Sequence, residues 1–242
     1  MIRILIPAAG RGRRFTEAGY DLPKPLIDVR GKPMLSRIID NVRPSRPHRY
    51  VILMQREHAE RGEIVGFYDS HLILVDGVTD GAARTALLAK EHIDNDDPLM
   101  IVNSDQLLDW DVDSFLHRAS PYDGRIVTFT AHDPKWSYVR REGDATWRGP
   151  HVAEVVEKRV VSDEATCGIY YWRKGSDFVR CAERMIERGI RTGGEFYIAP
   201  VYNELIAEGR RVTTYRIASE AMHGLGTPDD LAAYLASLAV PV

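Results

Sequence analysis

The run Ala8-Ala9-Gly10-Arg11-Gly12-Arg13-Arg14 sets three arginines among small residues directly after a short apolar stretch. Small side chains at Ala8, Ala9, Gly10 and Gly12 let backbone N–H groups close on an anion, and Arg11, Arg13 and Arg14 add fork-shaped donors. A triphosphate suits this composition; a strand-to-helix turn with solvated arginines accounts for the same residues without a ligand. No Gly-Lys-Ser/Thr follows, and Gly-x-Gly-x-x-Gly is absent, so neither familiar phosphate fingerprint is present. Ten residues on, Pro23-Lys24-Pro25 fixes the backbone around one lysine, which suits a point charge held against phosphate. Farther along, Ser104-Asp105-Gln106 follows an apolar run and ends it in a lone carboxylate. Asp105 there is either a ligand for a hard cation or the cap of the next turn.

These residues need elements to place them. Apolar runs rich in β-branched residues at Ile2 to Pro7, Tyr50 to Gln55, Leu72 to Val75 and Leu99 to Asn103 alternate with helical patterns at Pro33 to Val42 and Gly81 to His92. Such alternation predicts a largely parallel sheet covered by helices on both faces, a Rossmann-like three-layer αβα architecture, with ligands beyond the carboxyl ends of the strands. Gln55, at the end of its strand, is a polar contact for a ligand or a satisfied strand-end amide. After Arg125 the pattern changes: strand-like runs at Ile126 to Thr130, Val152 to Val156 and Gly168 to Trp172 predict a mixed or antiparallel extension of the same sheet. A helix over Ser176 to Arg188, with Gly189 as its C-terminal stop, a strand at Val212 to Ile217 and a helix at Pro228 to Leu238 complete the reading. One domain of α/β type is the expectation for 242 residues.

Hydrophobic residues make up 44% of the chain and charged residues 28%, ordinary values for a globular protein, and the net charge of -3 argues against a broad nucleic-acid footprint. A local basic pocket for a small anion remains. Met1 to Pro7 lacks the pattern of a secretory signal, and no run reaches the ~20 apolar residues of a membrane helix, so a cytoplasmic location without nucleic-acid or membrane partners is expected. Cys167 and Cys181 read as core thiols, with neither a disulfide framework nor a zinc spacing.

Taken with its spacing, Ile6-Pro7-Ala8-Ala9-Gly10-Arg11-Gly12-Arg13-Arg14-Phe15, followed by Leu22-Pro23-Lys24-Pro25-Leu26 and Gly31-Lys32-Pro33-Met34, resembles the amino-terminal signature of the sugar-phosphate nucleotidyltransferases. The resemblance implies a fold of the nucleotide-diphospho-sugar transferase type, also described as GT-A-like, with a nucleotide-binding part to about residue 120 and an acceptor-binding part after it. It implies that the glycine-rich loop wraps the nucleotide phosphates, that Arg14 stabilises the transferring phosphoryl group and that Lys24 completes the clamp. It gives Asp105 a magnesium ion and puts Ser104 on the nucleotide side. Asp76 to Ala83 is similar to the family loop that reads the base, with Gly81 as its glycine and either Asp76 or Thr79 as the reading side chain.

Val156-Glu157-Lys158 resembles a Glu-Lys-Pro element, with Arg159 where proline is usual; by that likeness Glu157 accepts from sugar hydroxyls and Lys158 holds the sugar phosphate. Thr166-Cys167-Gly168 is similar to the strand whose glycine makes room for the sugar ring, and Gly194-Glu195-Phe196 to a segment supplying a further sugar-binding glutamate. Near the carboxyl side, alignment on Gly226-Thr227 puts Gly224 where many members carry a second metal-binding aspartate. His223 either approaches the site or is structural. The activity implied is transfer of a nucleotidyl group from a nucleoside triphosphate to a sugar 1-phosphate, with pyrophosphate leaving and a homodimer as the family's assembly. A non-sugar phosphorylated acceptor, a glycosyltransferase using Asp105 to hold the metal of a nucleotide sugar, and a binding module without turnover stand as alternatives.

Overall fold

Successive side chains of a strand face opposite ways, so a strand with apolar side chains on both faces must be covered on both. Ile2–Ala8 (β1) is such a strand, with Ile4 and Ile6 buried on one face and Leu5 on the other. The computed structural model describes residues 1–61, 70–143 and 151–238. After β1 come α1 (Arg13–Glu17), α2 (Met34–Asn41), β2 (His48–Gln55), α3 (Arg56–Glu60), β3 (Ser70–Val75), α4 (Ala82–Leu87), α5 (Lys90–Ile93), β4 (Leu99–Val102), β5 (Gln106–Leu108) and α6 (Val112–Ala119). The rest of the chain adds β6 (Gly124–Thr130), β7 (Ser137–Arg141), β8 (Val152–Glu157), β9 (Glu164–Trp172), α7 (Gly175–Glu187), α8 (Tyr202–Ala207), β10 (Val212–Arg216), β11 (Met222–Gly224) and α9 (Pro228–Ser237).

The main sheet runs β10-β6-β9-β4-β1-β2-β3, with the β7-β8 hairpin attached to β9, and β5 pairs with β11 in a small second sheet. Strands β4, β1, β2 and β3 are mutually parallel, β9 runs antiparallel between β4 and β6, and β10 is parallel to β6. The expected parallel sheet with an antiparallel extension is therefore borne out.

Ile52, Met100 and Val102 join Ile4 and Ile6 under α2 and α6, whereas Val51, Leu53, Leu99 and Ile101 join Leu5 under α4, α5 and α7. Three layers follow. The Met34, Leu35, Ile38 and Ile39 side chains of α2 are all fully buried, each contributing on the order of 1.5–3 kcal/mol. One expectation changes in detail. The helix expected over Gly81 to His92 is two short helices, α4 and α5, separated at Leu88 and Ala89, and Leu88 turns outward, 50% exposed. The stretch after Asp105 holds a further strand and helix, β5 and α6, the latter capped by Asp111, whose carboxylate accepts from the Ser114 N–H at 2.9 Å.

Both cysteines lie in the core, and burial pushes the Cys181 thiol up to about 12 and that of Cys167 higher still. Neither behaves as a nucleophile there. Among the described residues no helix is long and apolar enough to cross a membrane.

Candidate active site

A cavity of about 770 Å³ opens at the carboxyl ends of β1 and β4. Its first wall is the loop leaving β1. Gly12 adopts a left-handed backbone (φ 62°) and caps α1, and a Cβ there would lie 2.9 Å from the Lys24 Cβ. Glycine is thus required twice, once for the turn and once for the lysine packed under it. The N–H groups of Gly10 and Arg11 donate to none of the described residues, and the exposed Arg11, Arg13 and Arg14 guanidinium groups have no ion-pair or hydrogen-bond partner among them. Five such donor groups at one loop are suited to an anion.

Lys24 sits in a single 3-10 turn, Lys24–Leu26, braced by Pro23 and Pro25. Its ammonium reaches across to the second wall and donates to Asp105 Oδ2 at 2.7 Å, both groups partly buried. Asp105 follows β4, as do the lining residues Asn103 and Ser104. The adjacent strand β9 gives way at Gly168 (φ 73°): a Cβ there would lie 2.0 Å from Gln106 Oε1 and 2.5 Å from Asn103 Nδ2. The cavity floor exists because that side chain is missing.

The third wall comes from the antiparallel extension. In the β7-β8 register Ser137 stands opposite Glu157, and its hydroxyl donates to the Glu157 carboxylate. Burial pushes the Glu157 carboxyl up from its ordinary value, and the Ser137 hydroxyl and Lys158 ammonium only partly offset this. Lys158 leaves the strand in the left-handed region (φ 54°), its N–H held by the Trp136 carbonyl at 3.1 Å. A non-glycine residue there costs roughly 1–2 kcal/mol, and the result turns the Lys158 ammonium onto Tyr197, 4.4 Å from the ring and bonded to its hydroxyl. Tyr197 in turn donates to Glu195 Oε2 at 2.5 Å. Lys135 and Trp136 complete this side.

Of the residues singled out from sequence, Ala8, Gly10, Gly12, Arg13, Arg14, Lys24, Ser104, Asp105, Glu157, Lys158 and Gly168 line the cavity. Ala9, Arg11, Gln55, Thr79, Gly81 and Glu195 are outside that lining. Gln55 is 3% exposed, and its amide donates to the Ala9 carbonyl at 2.7 Å and the Gly77 carbonyl at 2.6 Å, tying the β1 loop to the loop after β3. Thr79 bonds the Gly81 carbonyl at 3.1 Å and the Thr85 hydroxyl at 2.5 Å. At Gly81 a Cβ would lie 2.3 Å from the Phe196 carbonyl oxygen, so glycine lets the segment carrying Glu195 and Tyr197 dock there. Glu195 reaches the cavity through Tyr197. His223 pairs with Asp109 at 2.8 Å and is not in the lining.

Sequence reasoning missed Lys135, Trp136, Ser137, Tyr197 and Asp230. Ser137 gains its meaning only from the hairpin register, which no local pattern gives. Asp230, in the first turn of α9, is visible only once β11 has been placed beside β5.

Fold and cavity together define an α/β protein with its cavity beyond the carboxyl ends of parallel strands, and the chain belongs to the nucleotidyl transferase family, whose model matches residues 3–231. The resemblance drawn from the amino-terminal signature is borne out. The chain is similar to the UTP–glucose-1-phosphate uridylyltransferase AglF of Haloferax volcanii, 24% identical over 238 residues that cover 95% of this chain and 93% of that one. It is also similar to the bifunctional protein GlmU of Methanocaldococcus jannaschii, 30% identical over 115 residues, which cover 46% of this chain and 27% of that one. A nucleoside-diphosphate-sugar pyrophosphorylase from Vibrio cholerae shares the fold, with a TM-score of 0.80 at 24% identity over 96% of this chain and 99% of that one. The chain spans about half the length, or less, of several relatives it matches.

Proposed function

We propose that this protein transfers a nucleotidyl group from a nucleoside triphosphate to a sugar 1-phosphate, releasing pyrophosphate and a nucleotide-activated sugar for polysaccharide precursor synthesis. The observation that carries the reading is that one cavity joins the unpaired arginine loop, the Lys24–Asp105 pair and the Glu157–Lys158–Tyr197 group. The first is suited to a triphosphate, the last to a phosphorylated, hydroxyl-bearing acceptor, and the pair lies between.

In the proposed reaction an acceptor phosphate oxygen bonds to the α-phosphorus as the bond to the bridging oxygen of the β-phosphate breaks, and pyrophosphate carries away the electron pair. The attacking oxygen is already anionic, so no general base is needed and no enzyme-bound intermediate forms. What the chain supplies is position and charge. Arg13 and Arg14 hold the triphosphate, and Lys24 neutralises charge developing at the reacting centre. Lys158 orients the acceptor phosphate, and Glu157 accepts from a hydroxyl. Magnesium, with Asp105 as one ligand, is the hard cation suited to these oxygen donors and would neutralise phosphate charge there.

The test is pyrophosphate release with magnesium across the four common nucleoside triphosphates, using a panel of sugar 1-phosphates and other phosphorylated acceptors. Release should depend on one acceptor and fall about 10²–10³-fold in Lys24→Ala, as for loss of a single transition-state donor, and Asp105→Ala should abolish it. Silence throughout, with nucleotide sugars binding instead, would refute the reading in favour of a glycosyltransferase.

A further inference from the structure

The family resemblance expects an aspartate where this chain has Gly224. We propose that Asp230, on the first turn of α9, supplies the second carboxylate of the metal site, reaching from a helix to the place served elsewhere by a strand residue. The small β5-β11 sheet fixes the geometry. Gly224 stands opposite Gln106, and the Leu225 N–H donates to the Asp105 carbonyl at 2.7 Å, so residues 224–226 are pinned against Asp105. A Cβ on Gly226 would lie 3.4 Å from Asp105 Oδ2 and 3.7 Å from Asp230 Oδ2. Carboxylate oxygens from two separate elements therefore meet across one glycine. A Cβ on Gly224 would lie 3.7 Å from Asp230 Cγ, so the Asp230 carboxylate already occupies the direction a side chain at 224 would take.

Asp230 is held there by its backbone. Its N–H donates to the Thr227 hydroxyl at 3.1 Å, the helix N-cap, while its carboxylate has no hydrogen bond or ion pair among the described residues. Lys24 answers one negative charge; the second is left for a cation. An independent observation points the same way. Gln106, the residue after Asp105, is 8% exposed and lines the same cavity, and its Oε1, packed against Gly168, has no donor among the described residues. Buried acceptors are rarely left unpaired, and carboxylates with amide oxygens are the donor set of hard divalent cations.

The proposal rests on the transferase reading only for the identity of the cation, and it is tested without catalysis. Mn²⁺ binding to the whole protein, followed by the loss of its free EPR signal with no nucleotide present, is compared in wild type, Asp105→Asn, Asp230→Asn and Asp229→Asn. Binding should weaken roughly tenfold or more in the first two variants and hold in Asp229→Asn. Wild-type affinity in Asp230→Asn, or no Mn²⁺ binding by the wild type, overturns the proposal. Should Asp230→Asn melt early as well as lose the ion, Gly224→Asp in that background decides: recovered binding supports the assignment and continued loss overturns it. Loss of Mn²⁺ in Asp230→Asn without pyrophosphate release in any assay would sink the transferase reading alone; normal release with Asp230 irrelevant to Mn²⁺ would sink only this one.

Discussion

Glu157 shows how far a single carboxyl can be asked to work against its own comfort. Burial raises its pKa above that of the same group in an unfolded chain. Between those two values the folded protein keeps a proton the unfolded chain has lost, so this group makes stability fall as pH rises through that window, and the deficit persists above it. Glu157→Gln should therefore melt higher than wild type at pH 7, with the difference vanishing below the ordinary carboxylate range. Thermal melts of both proteins from pH 4 to 8 check this, and a gap that grows toward acid would contradict it. At this scale the sequence was informative wherever chemistry and spacing coincide. The arginine loop, Lys24 and Asp105 stand out by their neighbours, and Glu157-Lys158 by its likeness to a family element. Trp136 and Ser137 have no such mark, because their place in the cavity follows from a cross-strand register.

The elements divide along the same line. Strands buried on both faces, β1, β2, β4 and β9, read directly as apolar runs, and α7 reads from its helical spacing. Strand β5 is three residues long, too short for any period, and β7 sets Tyr138-Val139 directly before Arg140-Arg141, with no alternation to mark a strand. Neither Leu88 nor Ala89 is a helix breaker, so the division of α4 from α5 has no local signal. Gly168 is where an element's need and the site's need meet, since Asn103 and Gln106 pack so close to β9 there that no side chain fits, which leaves the cavity floor open. Gly168→Ala should push those two side chains into the cavity and lower kcat/KM for the acceptor by about tenfold to hundredfold, the scale of a displacement near 1 Å. Steady-state kinetics with each substrate varied in turn would show it, and an unchanged acceptor KM and kcat would count against the floor assignment.

For the whole molecule, the sheet sets the two proposed halves of the site on one support. The parallel strands present the arginine loop and Asp105, the antiparallel strands β7, β8 and β9 present Glu157, Lys158 and Gly168, and β4 against β9 is the seam between them. The net charge of -3 is a poor guide to the cavity, whose lining sets the basic Arg13, Arg14, Lys24, Lys135 and Lys158 close to the acidic Asp105, Glu157, Asp229 and Asp230.

The cavity's lining runs from Pro7 to Asp230, with β11 and α9 returning to close what β1 opened. Contacts between residues so far apart along a chain are expensive in loop entropy until everything between them is in place, so they form late. Helices and the β1-β2-β3 ladder can assemble while the site is still open. Refolding from denaturant should consequently restore far-UV circular dichroism before it restores nucleotide binding, and the two recoveries, followed by stopped flow on the same sample, should separate in time. A chain held at that stage would look folded to a spectrometer and be blind to its substrate.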